Sequence, residues 1–251
     1  MRIIKLSALV VVRNEEKHLN DCLETLRFAD EIVVVLDRTT DDSDIISQKY
    51  TKKIFHGSWP IEGDRRNIGI ESCSGEWILE VDADERVTKN LSDEILRQVN
   101  NSKVDYFQIP FDNYIGDKLV RYGWGCSWGV SSAPRLFRKS FKTWGKQRIH
   151  PSVQLKGKRG WLKQRMIHYV DEDISDMLKR LDRYTDARAL DLFDSGELGS
   201  LLSNIRRFFS RFIKCYILRK GFREGYYGFL IALMAALYPI LSYLKASIKE
   251  Q

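Results

Sequence analysis

Apolar residues occur along this chain in two textures, which change near residue 110. Before it, short runs of Val, Ile and Leu alternate with segments whose apolar residues follow helical spacing. Leu6–Val12 is apolar without alternation, as a strand covered on both faces should be. The helix after it places Leu19, Cys22, Leu23 and Leu26 on one side, with Asn14 able to cap it. Glu31–Leu36 is a second buried strand with Asp37 at its carboxyl end. Asp41, Asp42, Ser43 and Asp44 supply caps for a helix over 43–50. Lys53–His56 predicts a third strand, 64–73 a helix, Trp77–Val81 a fourth strand, 91–101 a helix and Tyr106–Pro110 another strand. Strands alternating with helices imply an α/β fold with a doubly wound, mostly parallel sheet.

Beyond residue 110 the pattern becomes irregular. Residues 111–170 contain Trp124, Trp128, Trp144, Trp161 and many glycines, and read as a partly antiparallel half that meets a second substrate. The two tryptophans 124 and 128 suit either sugar stacking or a core. Residues 173–195 read as a helix. In 201–218, Leu201, Leu202, Ile205, Phe208, Phe209, Phe212, Ile213 and Tyr216 follow helical spacing, with Arg206, Arg207, Arg211 and Lys214 on the other face. Such a basic amphipathic helix suits an anionic membrane surface. Tyr226–Leu244 is then nineteen residues without a charge, close to a bilayer's requirement, though Pro239 interrupts it. A monotopic or re-entrant segment, a true span and a packed core helix all fit. The expected organisation is a domain over 1–200, divided into a first half (1–110) and a second half (111–170), followed by membrane-associating helices in 201–251.

Charge sharpens this division. The chain carries 41 Lys/Arg and 34 Asp/Glu, a net charge of +7. Residues 135–165 hold eleven Lys/Arg and no acid, and 201–225 hold seven Lys/Arg and one Glu; setting aside their +11 and +6 leaves −10 for the remainder. An acidic body with two basic zones is not a nucleic-acid coat, and each zone calls for its own partner. The four cysteines have no paired spacing, which argues against a zinc site or disulfide framework and fits a reducing compartment. The first apolar run is too short for a leader and reads as a first strand.

The candidate chemistry lies at strand ends. In doubly wound sheets ligands bind beyond the carboxyl ends of the strands, where Asn14, Asp37, Asp82 and Asp84 all fall. Glu80-Val81-Asp82-Ala83-Asp84-Glu85 closes an apolar strand with carboxylates two residues apart. In extended backbone, Asp82 and Asp84 would face one pocket, where hard oxygen ligands suit Mg²⁺ or Mn²⁺ bound to a diphosphate.

In order along the chain stand Val10-Val11-Val12-Arg13-Asn14-Glu15-Glu16, the strand ending at Asp37 with Thr39-Thr40-Asp41, Arg65-Arg66-Asn67-Ile68-Gly69, and Gly75-Glu76-Trp77-Ile78-Leu79 leading to Asp82-Ala83-Asp84-Glu85. This set resembles family 2 glycosyltransferases of the GT-A fold, and within them the lipopolysaccharide-core glucosyltransferase branch. Arg135-Leu136-Phe137-Arg138, Ile149-His150 and the basic-then-apolar tail extend the likeness over nearly the whole chain. The resemblance implies an inverting transfer from a nucleoside-diphosphate sugar, a UDP-sugar above all, to a glycan or glycolipid acceptor at the cytoplasmic face of the plasma membrane. It implies a donor site of Asn14, Glu15, Asp37 (base), Arg65 and Arg66 (base or diphosphate) and Asp82 (ribose), with Asp84 on the divalent cation. Related sequences commonly carry Glu after the His of the Arg-x-His-like element, where this chain has Pro151. The base is then His150 or a carboxylate among Asp112, Asp117, Asp171 and Glu172. A nucleotidyltransferase would want a Gly-rich loop after the first strand, and a non-catalytic membrane adaptor would not need the convergent aspartates.

Overall fold

The structure is a computed structural model that describes residues 5–146 and 152–249. In chain order its elements are β1 (Leu6–Val12), α1 (Glu16–Thr25), β2 (Glu31–Asp37), α2 (Ser43–Gln48), β3 (Ile54–Gly57), α3 (Glu62–Ser72), β4 (Trp77–Val81) and β5 (Glu85–Arg86). There follow α4 (Lys89–Asn101), β6 (Tyr106–Ile115), β7 (Lys118–Val120), β8 (Ser132–Arg138), β9 (Lys142–Trp144), β10 (Val153–Leu155), β11 (Arg159–Trp161) and β12 (Met166–Asp171). The chain ends in α5 (Ile174–Ser195), α6 (Leu201–Ile213) and α7 (Tyr226–Lys249).

Two compact units result. Met1–Phe111 with Ser132–His168 forms the first, and Asp112–Ser131 with Tyr169–Gln251 the second. The expected boundary at residue 200 is therefore displaced: α5 and the stretch 112–131 group with the C-terminal helices. The reason is burial, since Met177 and Leu181 of α5 share a core with Trp124, Trp128, Ile231 and Ala235.

In the first unit β3, β2, β1 and β4 are parallel neighbours in that order, and β8 joins β4 antiparallel. β1 shows why its sequence lacks alternation. Leu6, Ala8, Val10 and Val12 enter one buried cluster with α1 and α4 residues, while Leu9 enters another with Val33, Val35, Ile70 and Phe137. Register places Val12 beside Leu36 and Val10 beside Val81, so the carboxyl ends of β1, β2 and β4 finish together. α3 lies against these strands because Gly69 removes a side chain there; a Cβ at that position would come within 2.6 Å of Leu9 Cδ1.

One local expectation is corrected. Asn14 does not cap α1, whose N-cap is Glu15 without a side-chain bond. Asn14 instead sits at φ 55° and its Oδ1 accepts from the Thr40 N–H at 2.8 Å. Asp41 ties two helix starts together, accepting from the Glu16 N–H at 2.9 Å and the Ser43 N–H at 3.1 Å.

The second unit is built on α5, α6 and α7. α5 begins as expected, with Asp173 accepting from the Asp176 N–H, and stops at Gly196 in the left-handed conformation. α7 runs unbroken through Pro239. Tyr226–Ile248 is long and apolar enough to cross a membrane, with mean hydropathy 1.7, yet half of its most apolar stretch is buried inside the protein. It packs on α5 and α6, as a core helix does. Trp124 and Trp128 are buried in the same core, and the Arg180 guanidinium lies 4.0 Å from the Trp128 ring centroid.

Candidate active site

The end of β2 and the start of α3 form the first part of the site. Asp37 is fully buried, and donors surround its carboxylate. Oδ1 accepts from the Trp59 N–H at 2.9 Å and Arg38 Nε at 3.1 Å; Oδ2 accepts from Arg38 Nη2 at 2.9 Å and Arg65 Nη1 at 2.8 Å. Burial alone would raise its pKa, but Arg38, the Trp59 N–H and Arg65 hold it below the usual carboxylate value.

The second part lies under the end of β4. Glu80 and Asp82 are two residues apart and are bridged by one guanidinium. Arg66 of α3 donates from Nη1 to Glu80 Oε1 at 2.6 Å and to Asp82 Oδ1 at 3.0 Å, and from Nε to Glu62 at 2.9 Å. Its guanidinium also lies over Trp144. Arg135 of β8 binds Asp82 and Glu85. Lys142 of β9 reaches Glu80 Oε2 at 2.6 Å, and Glu85 Oε2 accepts from the Asp82 N–H at 3.0 Å. Three carboxylates thus meet three cations in a buried cluster, the arrangement in which interior charges are tolerated. Burial raises Glu80, but Lys142, Arg66 and Arg135 outweigh it and bring its pKa down to about 2. Asp82 is likewise lowered, by Arg135 and Arg66 against burial. Burial dominates at Glu85, raised to about 7, and at Lys142, lowered to about 8.

Asp82 and Asp84 do not face one pocket from an extended strand, as the spacing suggested. β4 stops at Val81, and a turn closed by the Glu85 N–H on the Asp82 carbonyl, 2.9 Å, covers 82–84. The turn sends Asp82 to the arginines and Asp84 to His168. Asp84 Oδ2 lies 3.5 Å from His168 Nε2, and Asp84 Oδ1 is buried with no hydrogen-bond partner among the described residues. His168 is placed by pairing of β12 with β5 and by contact with the Phe111 ring at 5.3 Å. Burial would lower its pKa, but Asp84 and then Glu85 raise it above the ordinary imidazole value.

A carboxylate oxygen left without a donor beside an imidazole nitrogen is a donor set that fits a divalent cation. Among the described residues no group of three or more His, Cys, Asp or Glu could hold a metal. A cation at Asp84 and His168 would therefore take its remaining ligands from diphosphate oxygens and water, the usual manner of Mg²⁺.

Of the residues expected in the site, Asp37 and Arg65 meet directly, and Arg66 and Asp82 meet directly. Glu15 donates its N–H to Ser43 Oγ at 3.0 Å. His150 and Pro151 lie outside the described residues. The alternative bases Asp112, Asp117, Asp171 and Glu172 belong to the second unit, where Asp171 is bound by Arg180 at 2.6 Å and Asp112 stands 3.4 Å from Arg121. Glu80, Glu85, Arg135, Lys142 and His168 were not assigned a place from the sequence. Glu80 and Glu85 flank the aspartates and could have been suspected. His168 sits singly in an ordinary strand, Met166–Asp171, and carried no signal.

A parallel α/β unit with acidic groups gathered at the carboxyl ends of its strands has them where sheets of this class bind ligands, and sequence comparison makes this specific. Residues 7–150, more than half of the chain, match the family model described as Glycosyl transferase family 2; the protein belongs to that family. It is 24% identical over 246 residues to an uncharacterized glycosyltransferase of Rickettsia typhi, covering 92% of this chain and 83% of that one. It is also 24% identical to the lipopolysaccharide core biosynthesis glycosyltransferase LpsC of Rhizobium meliloti, covering 95% and 90% of the two chains. Its fold resembles the crystal structure of residues 1–349 of Staphylococcus aureus TarS in complex with UDP, with a TM-score of 0.52, 15% identity and coverage of 98% of this chain and 92% of that one. The GT-A-like α/β fold expected from the motifs is thereby established.

Proposed function

We propose that this protein is an inverting, divalent-cation-dependent hexosyltransferase that moves a sugar from a UDP-sugar to a hydroxyl of a cell-envelope glycan or glycolipid such as lipopolysaccharide core. The observation that carries the reading is Asp84, whose Oδ1 is buried without a partner among the described residues while its Oδ2 lies 3.5 Å from His168 Nε2, just beyond an ion-paired Asp82. Lipopolysaccharide core biosynthesis is the printed role of LpsC, and TarS structures with UDP and with UDP-GlcNAc share the fold.

In this reading the nucleotide's base lies near Asp37, which Arg38, Arg65 and the Trp59 N–H keep ionised and oriented, with Asn14 and Glu15 at the neighbouring edge of the donor site. Asp82 holds the ribose, and Arg66 and Arg135 fix its carboxylate while offsetting diphosphate charge. Asp84, with His168, holds the cation, which when bound supplies electrostatic stabilisation of the departing diphosphate. His150 accepts the acceptor hydroxyl's proton as that oxygen attacks the anomeric carbon. The enzyme works at the cytoplasmic face of the plasma membrane, where nucleotide sugars are made, without nucleic-acid partners.

Purified protein is offered a panel of sugar nucleotides with Mg²⁺, with Mn²⁺ or with chelator, and release of nucleoside diphosphate is measured. Turnover of a UDP-sugar that stops in chelator supports the reading. Turnover that persists in excess chelator overturns the metal assignment, and absence of turnover with every donor overturns the donor class. Loss of activity in His150→Ala with unchanged donor affinity is expected if His150 is the base.

A further inference from the structure

The C-terminal helices contain a surface that the catalytic chemistry does not use. In the second unit α6 is continued by a π-helical turn, Lys214–Leu218, closed by the Arg219 N–H on the Lys214 carbonyl. The inward side of this helix is not its most apolar side. Asn204 is buried to 2% exposure and bonds the Ser200 carbonyl at 3.0 Å. Arg211, expected on the charged outer face, turns inward and donates to the Cys126 carbonyl at 3.1 Å. Phe212, Tyr216 and Cys215 complete the packed side.

Apolar residues meanwhile point outward. Leu202, Ile205, Phe209, Ile213 and Ile217 follow spacings of three, four, four and four, one stripe of a helix, and all are exposed, Leu202 at 78% and Phe209 at 60%. Leu218, Phe222 and Tyr226 extend the exposed apolar set beyond the helix end. A helix facing water places polar groups there, and a contiguous apolar patch rimmed by charge marks an interaction site.

The rim indicates the partner. Residues 198–223 hold seven Lys/Arg and no Asp or Glu, and Arg206, Lys214 and Lys220 are exposed beside the stripe. The acids that bound this run along the chain are Glu197 before it and Glu224 after it, and Glu224 is occupied by the Arg121 and Tyr122 N–H groups at 2.8 and 3.0 Å. A protein groove would present pockets and mixed charge. A one-sided apolar strip flanked only by cations fits a sheet of anionic headgroups over hydrocarbon.

We infer that the outward stripe Leu202–Phe209–Ile213–Ile217, with Arg206, Lys214 and Lys220, is the face by which this protein lies on an anionic phospholipid surface. α7 supports that face from inside the unit and does not enter the bilayer. This deepens the proposed membrane location and is independent of the donor chemistry.

The test uses full-length protein and vesicles of phosphatidylcholine, with or without phosphatidylglycerol, in a flotation assay. The chain floats with the anionic vesicles, and added salt weakens the binding without abolishing it. Phe209→Glu/Ile213→Glu and, separately, Arg206→Glu/Lys214→Glu/Lys220→Glu each reduce partitioning about tenfold or more. Both sets lie on exposed positions, so their thermal unfolding stays close to wild type; Phe209→Trp, a milder probe, shows a blue-shifted emission with anionic vesicles. Unchanged flotation of the Glu variants overturns the assignment. So does a chain that is dimeric in solution, becomes monomeric on Phe209→Glu and ignores vesicles, since the stripe then belongs to a second copy. Nucleotide release from the sugar donor without vesicles is read in parallel, so failure of the lipid face and failure of the transferase reading are separable.

Discussion

Two carboxylates lie at the carboxyl ends of β2 and β4, the strands on either side of β1, and have opposite surroundings. Asp37, at the end of β2, accepts four hydrogen bonds and is saturated by protein donors. Asp84, just past β4, keeps one buried oxygen with no hydrogen-bond partner among the described residues, and the His168 imidazole lies 3.5 Å from the other. A saturated carboxylate is a fixed charge: its lone pairs are taken, and it acts by orienting the arginines around it. A buried oxygen without a donor costs folding energy, and a cation that coordinates it returns that energy on binding. Under the proposed function, the difference separates a group that shapes the pocket from one held in reserve for the cation.

The largest expected effect comes from disturbing the charges behind Asp84. Arg135→Met leaves Glu85 and half of Asp82 unpaired in a buried place; unfolding in urea should show a loss of about 3–5 kcal/mol. A loss below about 1 kcal/mol would mean that water or Arg66 compensates. Asp84→Asn keeps shape and burial and removes only the anionic ligand. Turnover should fall by about 10²–10³-fold, roughly 2.7–4 kcal/mol of transition-state stabilisation, while the melting temperature holds or rises. Full activity in this variant would show that Asp84 is a turn residue like its neighbours.

Acid should distinguish the two strand ends less sharply. The folded-state pKa of Glu80 is depressed from 4.5 to about 2. Its contribution to stability is therefore present above pH 4.5 and is lost as pH falls toward about 2. At about 1.4 kcal/mol per unit this amounts to at most about 3.5 kcal/mol. Glu80→Gln should flatten the stability–pH curve in that window, and an unchanged slope would assign the acid sensitivity elsewhere. The smallest effect is expected at the saturated end. Asp37→Asn retains part of the hydrogen bonding but releases Arg38 and Arg65 from a charge partner. Donor KM should rise with kcat little changed, by about 1–3 kcal/mol of binding; a kcat loss as large as that of Asp84→Asn would erase the contrast between the two carboxylates.

Much of this was legible in the sequence. Uniformly apolar runs predicted β1, β2 and β4, because a parallel strand covered on both faces has no side left for polar residues. Helical spacing located α1, α4 and α5, whereas the Asp173 cap and the left-handed stop at Gly196 were supplied by the structure. Asp37, Asp82 and Asp84 were recognisable because strand ends are where such sheets open to ligands. What stayed hidden depended on contacts between distant segments. His168 reaches Asp84 only because β12 pairs with β5, and Arg135 and Lys142 reach Asp82 and Glu80 from strands more than fifty residues away. Pairing of that range leaves no local periodicity.

Local pattern also misled where two structures share one composition. Asp82-Ala83-Asp84 reads as extended, but a turn hydrogen bond reverses the second carboxylate. The α6 sequence is amphipathic in either orientation, and only packing on α7 decided that Arg211 turns inward and Phe209 outward. The apolar length of α7 suited a bilayer or a core equally, since hydropathy measures exclusion from water and not what replaces it. The sequence by itself determined where apolar surface and charge occur along the chain. The tertiary structure alone decided which charges neutralise one another and which are left for a ligand, because that depends on distance through space.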